Sequence, residues 1–99
     1  MTKNQIIDIL SINKTKLSVY GVKSISLFGS YYKDCSTKDS DIDLIVEFKG
    51  NQKSFDNYMD LKFFLEDKIN EKIDLVIEEN IKIVLKEEIL KNSEILISF

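Results

Sequence analysis

The eight residues from Asp41 to Phe48 constrain this chain more than any other stretch, because apolar and polar positions alternate there with a period of two. Ile42, Leu44, Val46 and Phe48 fall on one side, and Asp41, Asp43, Ile45 and Glu47 on the other. Successive side chains of a strand point to opposite faces, so the pattern predicts a strand with one face in a core and two carboxylates side by side on the other. Two such charges about 5 Å apart repel by roughly 3 kcal/mol at an effective dielectric near 20. A chain of 99 residues, expected to form one domain over residues 1–99 with one small core, feels a cost of that size. A divalent cation reverses it. Mg²⁺ suits the pair, being a hard ion commonly held by one or two carboxylates together with substrate phosphates.

The segments around this strand alternate in type. Ile6, Ile7, Leu10 and Leu17 are spaced for an amphipathic helix over residues 3 to about 19, with Thr2 available as its cap. Gly21 breaks that pattern, and Val22 to Phe28 alternates as a second strand that ends at Gly29-Ser30. Tyr31 to Ser40 is polar and predicts a short helical turn followed by a loop, and Gly50-Asn51 marks a turn after the Asp41 strand. Phe55, Tyr58, Leu61, Phe64, Leu65 and Ile69 predict the longest helix, Ile73 to Ile77 a third strand, and Ile81, Val84, Leu85 and Ile89 a last helix before a short apolar tail from Ile95 to Phe99. The order is helix, strand, strand, helix, strand, helix. It predicts an α+β domain in which helices pack against a small mixed sheet.

The third strand contributes another acid, Asp74, flanked by Ile73 and Leu75. If it pairs beside the Asp41 strand, Asp74 faces the same way as Asp41 and Asp43. A three-carboxylate cluster of that kind can hold two cations about 3.5–4 Å apart, one activating an attacking hydroxyl and the other bracing a triphosphate. Gly29-Ser30 stands at a strand end, where glycine allows close approach of backbone to phosphate and a serine hydroxyl adds a donor. Alone the dipeptide says little. Placed eleven residues ahead of Asp-x-Asp, it becomes specific.

Leu27-Phe28-Gly29-Ser30 followed by Asp41-Ile42-Asp43-Leu44-Ile45-Val46 resembles the Gly-Ser…Asp-x-Asp signature of the DNA polymerase β-like nucleotidyltransferases. Asp39-Ser40, the small size and Ile73-Asp74-Leu75-Val76 are similar to the minimal nucleotidyltransferase subgroup, over roughly residues 20 to 90. The resemblance implies the polymerase β-like fold and Mg²⁺-dependent transfer of AMP from ATP to a hydroxyl. It implies that Gly29 and Ser30 hold the triphosphate, that Asp41 and Asp43 bind metal, and that Asp74 completes the metal site or serves as base. It also implies a partner, a small helical HEPN-type ribonuclease toxin that the antitoxin adenylylates on a tyrosine. Members of the subgroup often carry Arg at one or both of the positions of Tyr31 and Lys33 and Gly at that of Asp34. Lys33 still offers a cation to a nucleotide, as a point charge instead of a fork.

Composition narrows the chemistry further. The chain has no His, Pro or Trp, and all fourteen basic residues are Lys, so imidazole-based catalysis and the guanidinium fork are both excluded. A net charge of −3 argues against broad binding to nucleic acid or anionic membranes. Cys35 has no partner for an internal disulfide, no charged-then-apolar leader opens the chain, and no apolar run approaches the roughly 18 residues of a membrane span, so a cytoplasmic setting is expected. Asp39-x-Asp41-x-Asp43 also imitates a calcium loop, but Leu44 stands where that loop needs glycine and Gly50 where it needs glutamate. Two alternatives to a protein-modifying enzyme stand beside it: an antitoxin that acts by occlusion alone, and a small-molecule nucleotidyltransferase of the aminoglycoside type.

Overall fold

The computed structural model describes residues 2–29, 41–50 and 54–99. Thr2 opens the first helix with a reciprocal cap: its hydroxyl accepts from the Gln5 amide at 3.2 Å, and its own amide donates to Gln5 Oε1 at 2.7 Å. This helix, α1 (Lys3–Ile12), is followed directly by α2 (Lys14–Val19). The single helix predicted over residues 3 to 19 is therefore two. Asn13 separates them, because its side-chain amide and its backbone amide both donate to Ile9 O, at 2.7 and 3.2 Å. A side chain that bonds local backbone in this way competes with the helical ladder.

Strand β1 (Val22–Phe28) pairs antiparallel with β2 (Ile42–Phe48). A register shift between Val22 and Ser24 changes the phase of β1, so Val22 is buried together with Ile25 and Leu27, which simple alternation had placed on the opposite face. Helix α3 (Phe55–Ile69) begins at Ser54, whose hydroxyl accepts from the Asn57 amide at 3.1 Å, and ends at Asn70 in the left-handed conformation at φ 59°. It carries the chain back across the sheet so that β3 (Ile73–Ile77) lies parallel to β2. A single 3₁₀ turn (Glu78–Asn80), α4 (Ile83–Lys91) and β4 (Ser93–Ser98) complete the chain.

The sequence pattern assigns no strand to this last stretch, and here the structure corrects it. The apolar tail belongs to β4, antiparallel to β1, which gives the sheet order β3-β2-β1-β4. One face of this mixed four-stranded sheet carries Ile25, Leu27, Ile42, Leu44, Val46 and Leu75, packed in one cluster with Ile6, Leu10 and Leu17 of the first helices and Leu61, Leu65 and Ile69 of α3. Among the described residues the opposite face is less fully covered: Ile45 and Ser26 are buried there, but α4 contributes no buried residue, and Ile83, Val84 and Ile95 are exposed. Among the described residues, no helix is long and apolar enough to cross a membrane.

Tyr58 links α3 to the sheet by donating its hydroxyl to Leu75 O at 2.6 Å in a partly buried setting. Tyr58→Phe leaves that carbonyl without its donor, and we expect a loss of about 1 kcal/mol, seen as a melting temperature lower by roughly 4–8 °C in a circular-dichroism melt. An unchanged melt would mean that the bond contributes nothing net.

Candidate functional site

The β2 strand sets the position of its acids through its two neighbours. Asp43 stands opposite Phe28 in the antiparallel ladder with β1 and opposite Asp74 in the parallel ladder with β3. A row therefore crosses the sheet from Phe28 through Asp43 to Asp74, and equivalent register in a parallel pair gives the two carboxylates one common face. That face is the one turned away from the core, since Ile42 and Leu44 on either side of Asp43 are fully buried. Asp43 itself is half-buried and Asp74 exposed.

Gly29 closes the row from below. Its φ of +75° places it in the left-handed region, and a Cβ built there would stand 2.2 Å from Asp43 Oδ2. Only a residue without a side chain lets the carboxylate lie against the turn. Burial is the chief reason that the Asp43 carboxyl is held above its ordinary pKa; the charges of Asp74 and then Asp41 add to it, followed by a hydrogen bond with the Asp74 carboxyl. The Asp43 carboxyl thus resists ionisation beside its acidic neighbours.

Asp41 lies on the same face at the mouth of β2, within electrostatic reach of Asp43, and its Oδ2 is 4.0 Å from Lys72 Nζ. Both groups are well exposed, so that contact contributes little. Periodicity does not single out Lys72; it stands just before β3, and only the pairing of β3 with β2 brings it to Asp41. Among the described residues, no group of three or more carboxylates is arranged to hold a metal by itself. The donor set nevertheless fits Mg²⁺: hard oxygens, and like charges on adjacent strands whose repulsion a dication would relieve. Of the residues proposed from sequence to hold nucleotide, Gly29 lies at the centre of the site. Ser30 and Lys33 lie outside the described residues, as does the helical turn predicted after Tyr31.

The site has a second wall that the sequence pattern does not assign to it. Phe28 and Gly29 face Leu85, Glu88, Ile89 and Asn92 of α4 and its C-terminal end across a cleft of about 270 Å³. The signal was present as the i, i+3, i+4, i+7 spacing of those four residues, but a helix face at that spacing ordinarily belongs to a core.

The family described as polymerase beta nucleotidyltransferase matches over residues 4–99. A Methanocaldococcus jannaschii protein, provisionally named a protein adenylyltransferase, is 43% identical over 82 residues, covering 81% of this chain and 82% of that one. The solved structure of a protein given provisionally as a minimal nucleotidyltransferase superposes with a TM-score of 0.80 at 24% identity, covering 94% of each chain. A chain from the complex of a tri-AMPylated Shewanella oneidensis HEPN toxin with an MNT antitoxin superposes with a TM-score of 0.62 at 24% identity, covering 98% of this chain and 70% of that one. At such identities the two solved structures speak for the fold.

Proposed function

We propose that this chain, which belongs to the polymerase β-like nucleotidyltransferase family and to its minimal type, transfers AMP from ATP to a hydroxyl of a partner protein. The observation that carries the proposal is the row from Phe28 through Asp43 to Asp74, with Gly29 lying beneath the central carboxylate. In the reaction, the acceptor oxygen bonds to the α-phosphorus of ATP, the bond to the bridging α–β oxygen breaks, and pyrophosphate leaves. Asp43 and Asp74, with Asp41 beside them, are the residues that would hold Mg²⁺, which when bound neutralises charge on the phosphates and acidifies the attacking hydroxyl. The exposed Asp74 carboxylate would complete the metal site or accept the acceptor's proton, with half-buried Asp43 beside it. The Gly29 turn admits the phosphate chain close to the backbone.

The acceptor proposed is a tyrosine of a HEPN-type ribonuclease toxin, with the chain acting as its antitoxin. A relative named for protein adenylyl transfer and a fold neighbour from a complex with a tri-AMPylated HEPN toxin both support it. One observation favours a second possibility, neutralisation by binding alone: Tyr31 and Lys33 stand where arginines are common in this subgroup, and neither presents a guanidinium fork to phosphate. One experiment separates them. The protein is incubated with α-labelled ATP, Mg²⁺ and the product of the adjacent gene as candidate toxin, with and without a chelator, and both label and ribonuclease activity are followed. Adenylyl transfer predicts label on a toxin tyrosine that disappears with the chelator and in Asp74→Asn. Full neutralisation by Asp74→Asn, with no label in any arm, would sink the enzymatic proposal.

A further inference from the structure

We infer that a second cleft, between α4 and the outer face of the sheet, binds a primary ammonium group carried on an apolar stem, with the ammonium at Glu47, Glu78 and Ser26. Asp41, Asp43 and Asp74 do not line this cleft, and binding there does not depend on nucleotidyl transfer. Strand register builds its floor: Ser26 stands opposite Ile45 of β2 on one side and Ile95 of β4 on the other. Directly paired residues share a face, and Glu47, two residues along β2 from Ile45, shares it too. Leu90 of α4 and Glu78, which follows β3, line the same space of about 470 Å³, within the range of roughly 300–1,000 Å³ usual for small-molecule sites.

Two independent observations point to a ligand. Ser26 is only 7% exposed, yet among the described residues its hydroxyl has no hydrogen-bond partner, and no side-chain oxygen is sealed from solvent without one. The Ser26 oxygen therefore opens into the cleft that the residue lines. A polar group so deep in a sheet is ordinarily bonded. The second observation is the pair of acids beside it: the Glu78 carboxyl is held above its ordinary pKa, chiefly by burial, then by the charge of Glu47 and a hydrogen bond with it, and Lys86 and Lys23 oppose that shift without cancelling it. Neither lysine lines the cleft. Lys23 reaches Glu47 at 3.5 Å, but both side chains are well exposed, so the pair contributes little. The lining then selects the ligand: two carboxylates repel an anion, and a hydrated dication leaves the apolar wall of Ile45, Leu90 and Ile95 unused. An ammonium has three donors and no acceptor. Glu47, Glu78 and the Ser26 oxygen offer it three acceptors, and the apolar wall takes its stem. A free alkylamine and a lysine side chain of another protein share this chemistry.

The test follows backbone amide shifts of the full chain by NMR at neutral pH as hexylamine, hexanol or hexanoate is added. Hexylamine should shift the amides of Ser26, Ile45 and Ile95 and bind roughly tenfold or more tightly than the other two, which carry a similar stem. Glu78→Gln, Glu47→Gln and Ser26→Val should each weaken hexylamine roughly tenfold. Glu87→Gln, on α4 but outside the cleft, removes the same charge and should change nothing. Circular dichroism checks that each variant folds. Hexylamine that fails to bind, that binds no more tightly than hexanol, that shifts amides elsewhere, or that keeps its affinity in the two glutamine variants and in Ser26→Val overturns the inference. Cadaverine and acetyl-lysine methylamide, titrated in parallel, separate the two sources: tighter binding of the diamine assigns the site to a free amine, and tighter binding of the lysine derivative assigns it to a partner's side chain.

Discussion

Asp43→Asn is expected to reduce adenylyl transfer by roughly three orders of magnitude, equivalent to about 4 kcal/mol of transition-state stabilisation, while making the protein without divalent cation more stable. Asp43 is the centre of the row, with Asp74 beside it in the parallel ladder, Asp41 two residues before it and Gly29 beneath it. On the proposed function, removing its charge would remove the metal ligand that stands between Asp41 and Asp74. The same change also removes a repulsion.

The sign of the stability effect follows from the direction of the shift. Burial and the neighbouring acids hold the Asp43 carboxyl above its ordinary pKa in the folded chain. A group raised in this way contributes stability that is fully present below its unfolded value and lost as pH rises through the folded one. Wild-type protein without divalent cation should therefore gain stability as pH is lowered from neutrality toward the carboxylate range. Glu78, raised chiefly by burial and then by the charge of Glu47, acts in the same direction. Asp43→Asn keeps the Glu78 share of that slope and loses its own, and it should melt roughly a few degrees higher than wild type at neutral pH. If Asp43 holds Mg²⁺ as proposed, the added ion should stabilise wild type and not the variant, because a ligand bound preferentially to the folded state stabilises it. A variant that melts lower than wild type, or that responds equally to Mg²⁺, would show that Asp43 is neither strained nor a ligand.

Gly29→Ala should be nearly as damaging, for a steric reason. The new methyl would stand 2.2 Å from Asp43 Oδ2 and 3.0 Å from its Cγ, so the carboxylate must swing away from the turn. Misplacing a reacting group by about 1 Å can cost roughly a hundredfold in rate. The left-handed backbone at φ +75° adds about 1–2 kcal/mol of strain in any L-residue. Gly50→Ala separates the two effects. Gly50 also has positive φ, at +47°, but a Cβ there meets nothing within 4 Å. Both variants should lose stability in a denaturant titration, and only Gly29→Ala should lose about a hundredfold in transfer. Equal transfer by the two would mean that Asp43 does not depend on the turn.

Much of this site was legible from residue order alone. Strict alternation from Asp41 to Phe48 required a strand with acids on its outer face, and the structure places Ile42, Leu44 and Val46 in the core accordingly. The spacing of Phe55, Leu61, Leu65 and Ile69 required α3, and Gly29 fell at the end of β1 as its pattern implied. The break at Asn13 was not legible, because whether an asparagine caps or continues a helix depends on where its amide finds an acceptor. Nor was β4, since Ser93 to Ser98 is short and only half-buried, and strand propensity depends strongly on the neighbour it pairs with.

The sequence by itself determined which residues are acidic, which face of β2 they share and which glycine precedes them, because these follow from periodicity and spacing along one chain. Only the tertiary structure decided that Asp74 is Asp43's partner, that Gly29 supports the Asp43 carboxylate and that α4 walls the site. Those relations depend on strand register and on the α3 crossover, contacts between segments far apart in the chain that no local pattern encodes.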